Sequence, residues 1–260
     1  MSDYVTMEKT DDVMVVRFDR QGALNALNYK MITELTEAAK LLGEDLTVKS
    51  VVLTGADTVF SSGVDLKDDQ NWDLDKMSDL EIRRLFYRGV RLCQAWEDLP
   101  QITIAAVEGM MVGGGCALGL ACDWRVLARD AYLFVPEVQV GLNLQWGALP
   151  RLVTLVGPAR AKEICLLGEK MSSEQAFDWG LVSRLAEPSE SVDVALGLAK
   201  RCAANPPIAS VMVKEAVNAI AGALHRVGSY ADADQSQLSA TNQAAVAARK
   251  RFGTRTSEAP

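Results

Sequence analysis

The chain contains one histidine, His225, and five cysteines, Cys93, Cys116, Cys122, Cys165 and Cys202, in 260 residues. One histidine rules out multi-histidine metal sites, and it leaves Ser-His-Asp or Cys-His chemistry only if His225 itself serves. Within AGALHRVGSY it reads as a surface or packing residue. The cysteines are odd in number, scattered and without a CxxC pair, so neither a disulfide framework nor a zinc ribbon is indicated and no metal is expected. Positive charge is also scarce. A formal net charge of −7 and a pI near 4.9 argue against a nucleic-acid footprint, which needs clustered Lys and Arg. No apolar run approaches the ~18 residues of a membrane span. The opening MSDYVTMEKTDD lacks the basic-then-apolar pattern of a secretory leader. A cytoplasmic protein with neither nucleic-acid nor membrane partners is expected.

What is present is enough apolar sequence, 49% of residues, to bury a sizeable core. Val5 to Phe18 alternates around the turn Lys9-Thr10-Asp11-Asp12 and predicts a hairpin. Residues 29–44 place Met31, Leu35, Ala38, Ala39 and Leu42 on one helical face, and SVVLTG (50–55) follows as a buried strand. Leu80 to Leu99 has helical periodicity, and Ile102–Val107 and Trp124–Ala128 read as further strands. Strands alternating with helices predict a mainly parallel α/β sheet. Beyond residue 157 the pattern turns helical, with a break at Pro206-Pro207. The organisation expected is a core over 1–195 and a helical region over 196–260.

Two segments invite ligand chemistry. VFSSGVDLKDDQNWDLDKMSD (59–79) is rich in aspartate but lacks the ligand alternation of a calcium loop, so it reads as a solvated loop able to cover a site. Gly113-Gly114-Gly115 lies between a strand and the small-residue run CALGLACD, so several backbone N–H groups converge at a helix start. One reading is a dinucleotide turn, because Gly113, Gly115 and Gly119 spell GxGxxxG. That fingerprint belongs in a first βαβ unit with an acid about 20 residues on, and here the turn sits mid-chain. Tight helix-to-sheet packing is the other reading.

The order of motifs favours a third. RQGALNALNYKM (20–31), VFSSGVDLK (59–67), AAVEGMMVGGGCALGLACDWRVLA (105–128), FVPEVQVGL (134–142), LVGPARAKEICLLGEKMSSEQAFDWGLV (155–182) and NPPIASVMVKEAV (205–217) together resemble the crotonase superfamily of enoyl-CoA hydratases and isomerases, over nearly the whole length. The resemblance implies a β/α spiral of ββα units and a helical C-terminal region packed at a trimer interface. A homotrimer or dimer of trimers would follow. The substrate would be a coenzyme A thioester, and no cofactor would be needed. Its carbonyl would be polarised by the backbone N–H groups of Val64 and Gly114; such donors are worth roughly 3 to 4 kcal/mol each. Asn25, Ala26 and Leu27, with the turn carrying Ser62, Asp65 and Leu66, would help bind CoA, and Lys67 would meet its phosphates. Asp65 also reads as a turn-holding residue.

Residue by residue, the resemblance also limits the reaction. The hydratase branch holds its water with two glutamates, and the matching positions here are Ala117 and Glu137. A methyl group cannot orient water. Eight residues after Glu137, where other branches carry an acid, stands Gln145, which is neither a base nor a carboxylate nucleophile. One carboxylate, Glu137, resembles the isomerase arrangement, in which the acid shuttles a proton. Burial beside Phe134, Leu142 and Trp146 would raise its pKa toward the working pH. Hydration remains an alternative if Asn143 or Gln145 positions water. So do a decarboxylase or hydrolase reusing the same oxyanion hole, and a protein that binds acyl-CoA without turning it over. Trp72, Phe86, Trp96 and Trp146 are candidate lining residues for the acyl group.

Overall fold

The computed structural model describes residues 3–68, 74 and 77–248. Nine strands are present among these: β1 (Val5–Thr10), β2 (Val13–Phe18), β3 (Ser50–Thr54), β4 (Ile102–Val107), β5 (Met110–Val112), β6 (Trp124–Ala128), β7 (Tyr132–Phe134), β8 (Met171–Ser172) and β9 (Arg184–Ala186). The predicted hairpin is β1 and β2, antiparallel in register from Val5 opposite Phe18 to Thr10 opposite Val13. From β2 onward the large sheet is parallel, in the order β1-β2-β3-β4-β6-β9. Its central strands are apolar on both faces because both faces are covered. Phe18, Leu53 and Leu127 join one core, and Val52, Ile104 and Val126 join a second on the opposite side.

The short strands form a separate sheet, β5-β7-β8. Each of two successive units gives one strand to each sheet: β4 then β5 runs into α3 (Gly114–Leu120), and β6 then β7 runs through a 3-10 turn into α4 (Ala148–Leu167). This alternation is the expected spiral of ββα units.

Helix α1 (Tyr29–Glu44) starts where Asn28 accepts a hydrogen bond from Met31 N at 2.9 Å, and it buries the predicted face. Helix α2 (Asp79–Glu97) opens on a capping box between Ser78 and Glu81 and packs along α1. Two further helices follow α4, namely α5 (Ser173–Asp178) and α6 (Ser191–Ala203). Helix α6 crosses the expected boundary at 195 and lies on the large sheet through Ala195, Ala199 and Ala203, so the alanine-rich segment from 191 belongs to the core. Beyond it come α7 (Pro207–Ala221), α8 (His225–Ser229) and α9 (Asp232–Thr241), the expected helical region. Helix α7 leaves Ile208, Met212, Val213, Val217 and Ile220 exposed. No single helix among the described residues is long and apolar enough to cross a membrane. Most of the acidic stretch expected as a covering loop, with Trp72, lies outside the described residues.

Candidate active site

Two backbone turns meet beneath one cavity. The first, 61–64, runs beside β5: Ser61 N donates to Met110 O at 3.0 Å and Val112 N to Ser61 O at 2.9 Å. The second is the glycine turn that starts α3, tied to the end of β7 by Gly113 N to Phe134 O at 2.9 Å. Glycine is required at both. Gly63 has φ +90 and Gly113 has φ +49, and a β-carbon on Gly63 would stand 2.9 Å from Val112 O and 3.5 Å from Gly114 N. The turns are therefore in backbone contact, and a side chain at Gly63 would separate them. Among the described residues neither Val64 N nor Gly114 N has an acceptor in the protein. Two unspent donors on abutting turns are what an oxyanion requires.

Glu137 faces the glycine turn. Pro136 lacks an N–H and ends β7, the chain tightens into a 3-10 turn over Glu137–Val140, and Gly141 at φ +76 closes it. A β-carbon on Gly113 would meet Glu137 Oε1 at 2.7 Å. Glu137 Oε2 is buried without a hydrogen-bond partner, and burial pushes the carboxyl up to about 7. It is the one acid lining the cavity among the described residues; Ala117, buried on the first turn of α3, presents only a methyl group there.

Trp146 forms an apolar wall. Its backbone has φ +64, and its indole lies over Gly89 of α2, with the ring edge 3.0 Å from where a β-carbon on Gly114 would be. A brace fixes this strained residue: Arg151 Nη1 donates to Trp146 O at 2.9 Å and Gly147 N donates to Asp232 at 2.9 Å. Arg151 in turn grips Glu97 with two hydrogen bonds of 2.9 and 2.8 Å. His225 joins the brace at 3.3 Å from Glu97 and 3.1 Å from Thr154, so it belongs to the scaffold and not to the cavity.

The other expected site residues divide into two groups. Ser62, Val64, Leu66, Gly114, Gln145 and Trp146 line the cavity with Glu137 and Ala117, and the Oε1 of Gln145 is buried without a partner. Asn25, Ala26, Leu27, Asp65 and Lys67 do not line it. The amide of buried Asn25 is consumed in the fold, donating to Phe18 O at 2.9 Å and Phe60 O at 2.8 Å and accepting from Arg20 N at 3.0 Å. It pins a turn in which Gln21, Ala23, Leu24 and Asn25 itself all have positive φ. Leu27 is buried and docks on the first site turn, with Leu27 N donating to Gly63 O at 2.7 Å. Asp65 holds Arg20 at 2.6 Å and its own turn through Lys67 N at 2.8 Å, in keeping with a structural role. Lys67 is exposed.

Of the aromatic candidates, Phe86 and Trp146 line the cavity. Trp96 does not: it is fully buried in the core, with Nε1 donating to Leu35 O at 3.2 Å. Sequence reasoning missed Ile32, Leu85, Arg88 and Gly89 as lining residues. The 85, 88, 89 spacing of one helix face was the available signal. Burial pushes the thiols of Cys93 and Cys122 up to about 12 and that of Cys165 to about 11, so they are inert packing groups.

Comparison with known proteins gives the family. The family described as Enoyl-CoA hydratase/isomerase matches residues 8–252. A short-chain-enoyl-CoA hydratase from Clostridium acetobutylicum is 33% identical over 215 residues, covering 82% of this chain and 80% of that protein. A mitochondrial enoyl-CoA hydratase from Pongo abelii is 34% identical over 223 residues, covering 84% and 73%. The crystal structure of an enoyl-CoA hydratase from Mycobacterium avium subsp. paratuberculosis superposes with a TM-score of 0.87 at 25% identity, covering 98% of this chain and 97% of the other. The chain belongs to the enoyl-CoA hydratase/isomerase family, of crotonase fold.

Proposed function

We propose that this protein is an enoyl-CoA isomerase that uses Glu137 as its only proton carrier and the N–H groups of Val64 and Gly114 as an oxyanion hole. The Glu137 carboxylate takes a proton from C2 of a 3-enoyl thioester. The electron pair moves onto the thioester oxygen, where the two N–H groups stabilise the enolate. Charge then returns through C2 and C3, the double bond forms between them, and Glu137 delivers its proton to C4. A single acid suffices, and burial near pH 7 suits it both to take and to return the proton. Exposed Lys67 meets the CoA phosphates and the 25–27 segment frames the nucleotide end; no cofactor takes part.

The observation that carries this reading is Glu137 as the one cavity acid among the described residues, with Ala117 presenting only a methyl group to the same cavity. Hydration is a second reading, favoured by the names of the relatives and by Gln145 Oε1, an unpartnered acceptor on the same cavity able to hold water. A panel of enoyl-CoA esters, with isomerisation and hydration followed separately, tests the choice. Isomerisation is expected to dominate in the parent chain and to vanish in Glu137→Gln, while Ala117→Glu is expected to raise hydration. Faster hydration in the parent would reverse the assignment. Unchanged ester binding with no turnover of any ester would reduce the protein to a binder.

The protein assembles as a homotrimer or dimer of trimers. The support is the exposed apolar side of α7, where Ile208 is 75% and Ile220 81% accessible. Sedimentation should give three or six times the 28.2 kDa chain mass; a monomer would refute this.

A further inference from the structure

Arg88 is a cation on the wall of an otherwise largely apolar cavity. It projects from α2 one residue before Gly89, on which Trp146 rests, and it is half-buried. Its guanidinium is held on one side only. Nη2 donates to Tyr29 O and, at 2.6 Å, to Thr33 Oγ1, and the plane lies 3.2 Å from the centre of the Tyr29 ring. Nη1 is buried with no hydrogen-bond partner. Among the described residues no salt bridge to Arg88 is present, and the charge of nearby Asp68 favours its charged form.

A guanidinium has five donors in a rigid fork, and leaving one edge buried and unpaired is costly. The arrangement makes sense if an anionic oxygen arrives with the ligand. An acyl-CoA offers two sources, the CoA phosphates and a charged group on the acyl chain. Phosphates are strongly hydrated and suit an exposed lysine such as Lys67. Arg88 instead lines the cavity together with Ile32, Leu85 and Trp146, and Lys67 does not.

We propose that Arg88 determines substrate class: the protein takes coenzyme A thioesters whose acyl group carries a second carboxylate at its far end, and the Arg88 guanidinium binds that carboxylate. The hydrogen bonds to Tyr29 and Thr33 fix the fork in advance, so little side-chain freedom is lost when the ligand binds. This rests on the acyl-CoA reading above but not on the choice between isomerisation and hydration, because it concerns only the end of the acyl chain.

The test is binding calorimetry with butyryl-CoA, its ω-carboxylated counterpart glutaryl-CoA, and free CoA, on the parent chain, Arg88→Lys and Arg88→Met. Saturated esters separate recognition from turnover. The parent should bind glutaryl-CoA about tenfold or more tighter than butyryl-CoA, the scale of a charge-assisted hydrogen bond. Arg88→Met should erase that ratio while leaving butyryl-CoA and free CoA within about twofold, and Arg88→Lys should keep part of it. Equal losses for all three ligands would move the guanidinium to the CoA phosphates and overturn the assignment. A parent without preference would overturn it as well. If no ester binds at all, the acyl-CoA reading itself falls, and this proposal with it.

Discussion

Two glutamates, forty residues apart in sequence and both withdrawn from solvent, behave in opposite ways. Burial raises both. At Glu97 the hydrogen bonds and charge of Arg151, with help from His225, outweigh burial and hold the carboxyl below its ordinary range. At Glu137 no cation answers among the described residues, and the carboxyl rises to about 7. The acid with partners is a strut, and the acid without them is poised to exchange protons. The two meet through a single chain of contacts, because the Arg151 that Glu97 grips also holds the carbonyl of Trp146, whose ring walls the cavity of Glu137. The pairing at Glu97 and the lack of it at Glu137 thus meet in the packing of one indole.

The contrast breaks most severely at Glu137. Glu137→Gln is expected to lower kcat by about 10³-fold or more while ester affinity stays within a few-fold, as fits a group that acts only as proton carrier; steady-state kinetics with parallel calorimetry checks it. In the parent, kcat/KM should rise with pH through about 7 as Glu137 ionises. A flat profile from pH 5 to pH 9 would deny it that role.

The stability effects should run in opposite directions. Glu137 has a folded pKa above its ordinary 4.5, so at acid pH both folded and unfolded states are protonated and no penalty exists. Between 4.5 and about 7 only the unfolded chain ionises, and above 7 the folded protein bears the full cost. Glu137→Gln should therefore match the parent near pH 4 and exceed it by roughly 3 kcal/mol at pH 8. Denaturant titrations at the two pH values measure the difference. Glu97 is shifted down, so its stabilisation is present above the ordinary carboxylate range and fades as pH falls through its folded value. Glu97→Gln should cost roughly 2 kcal/mol at pH 7, less than for a fully enclosed pair because Glu97 retains some solvent contact, and should reduce kcat only modestly, by loosening Trp146. A change at Glu97 as damaging to kcat as one at Glu137 would erase the distinction between strut and proton carrier.

The large sheet was legible because SVVLT and ITIAAV are buried on both faces and read as unbroken apolar runs. Strands β5, β7 and β8, two or three residues each, are too short to display a period, and yet they place the glycine turn and Glu137. Helical periodicity located α2 but could not tell core from cavity, so Phe86 and Trp96 on that helix looked alike until tertiary packing separated them. Arg88 was invisible for the same reason: a helical arginine reads as surface, and its partners Tyr29 and Thr33 come from a helix 55 to 59 positions away. Glu137 itself emerged from the order of motifs and not from local chemistry, since its distinguishing property is the absence of neighbours that could pair with it.

The seating of Trp146 on Gly89 has a consequence for how this chain could change. Any β-carbon at 89 would collide with the indole, so even alanine there would push the ring toward Gly114 and Glu137 and shrink the space for the acyl group. Glycine codons lie a single base from those for alanine, serine and larger side chains. Position 89, which supplies no group to the proposed reaction, is therefore where one mutational step could retune the length of chain this cavity accepts.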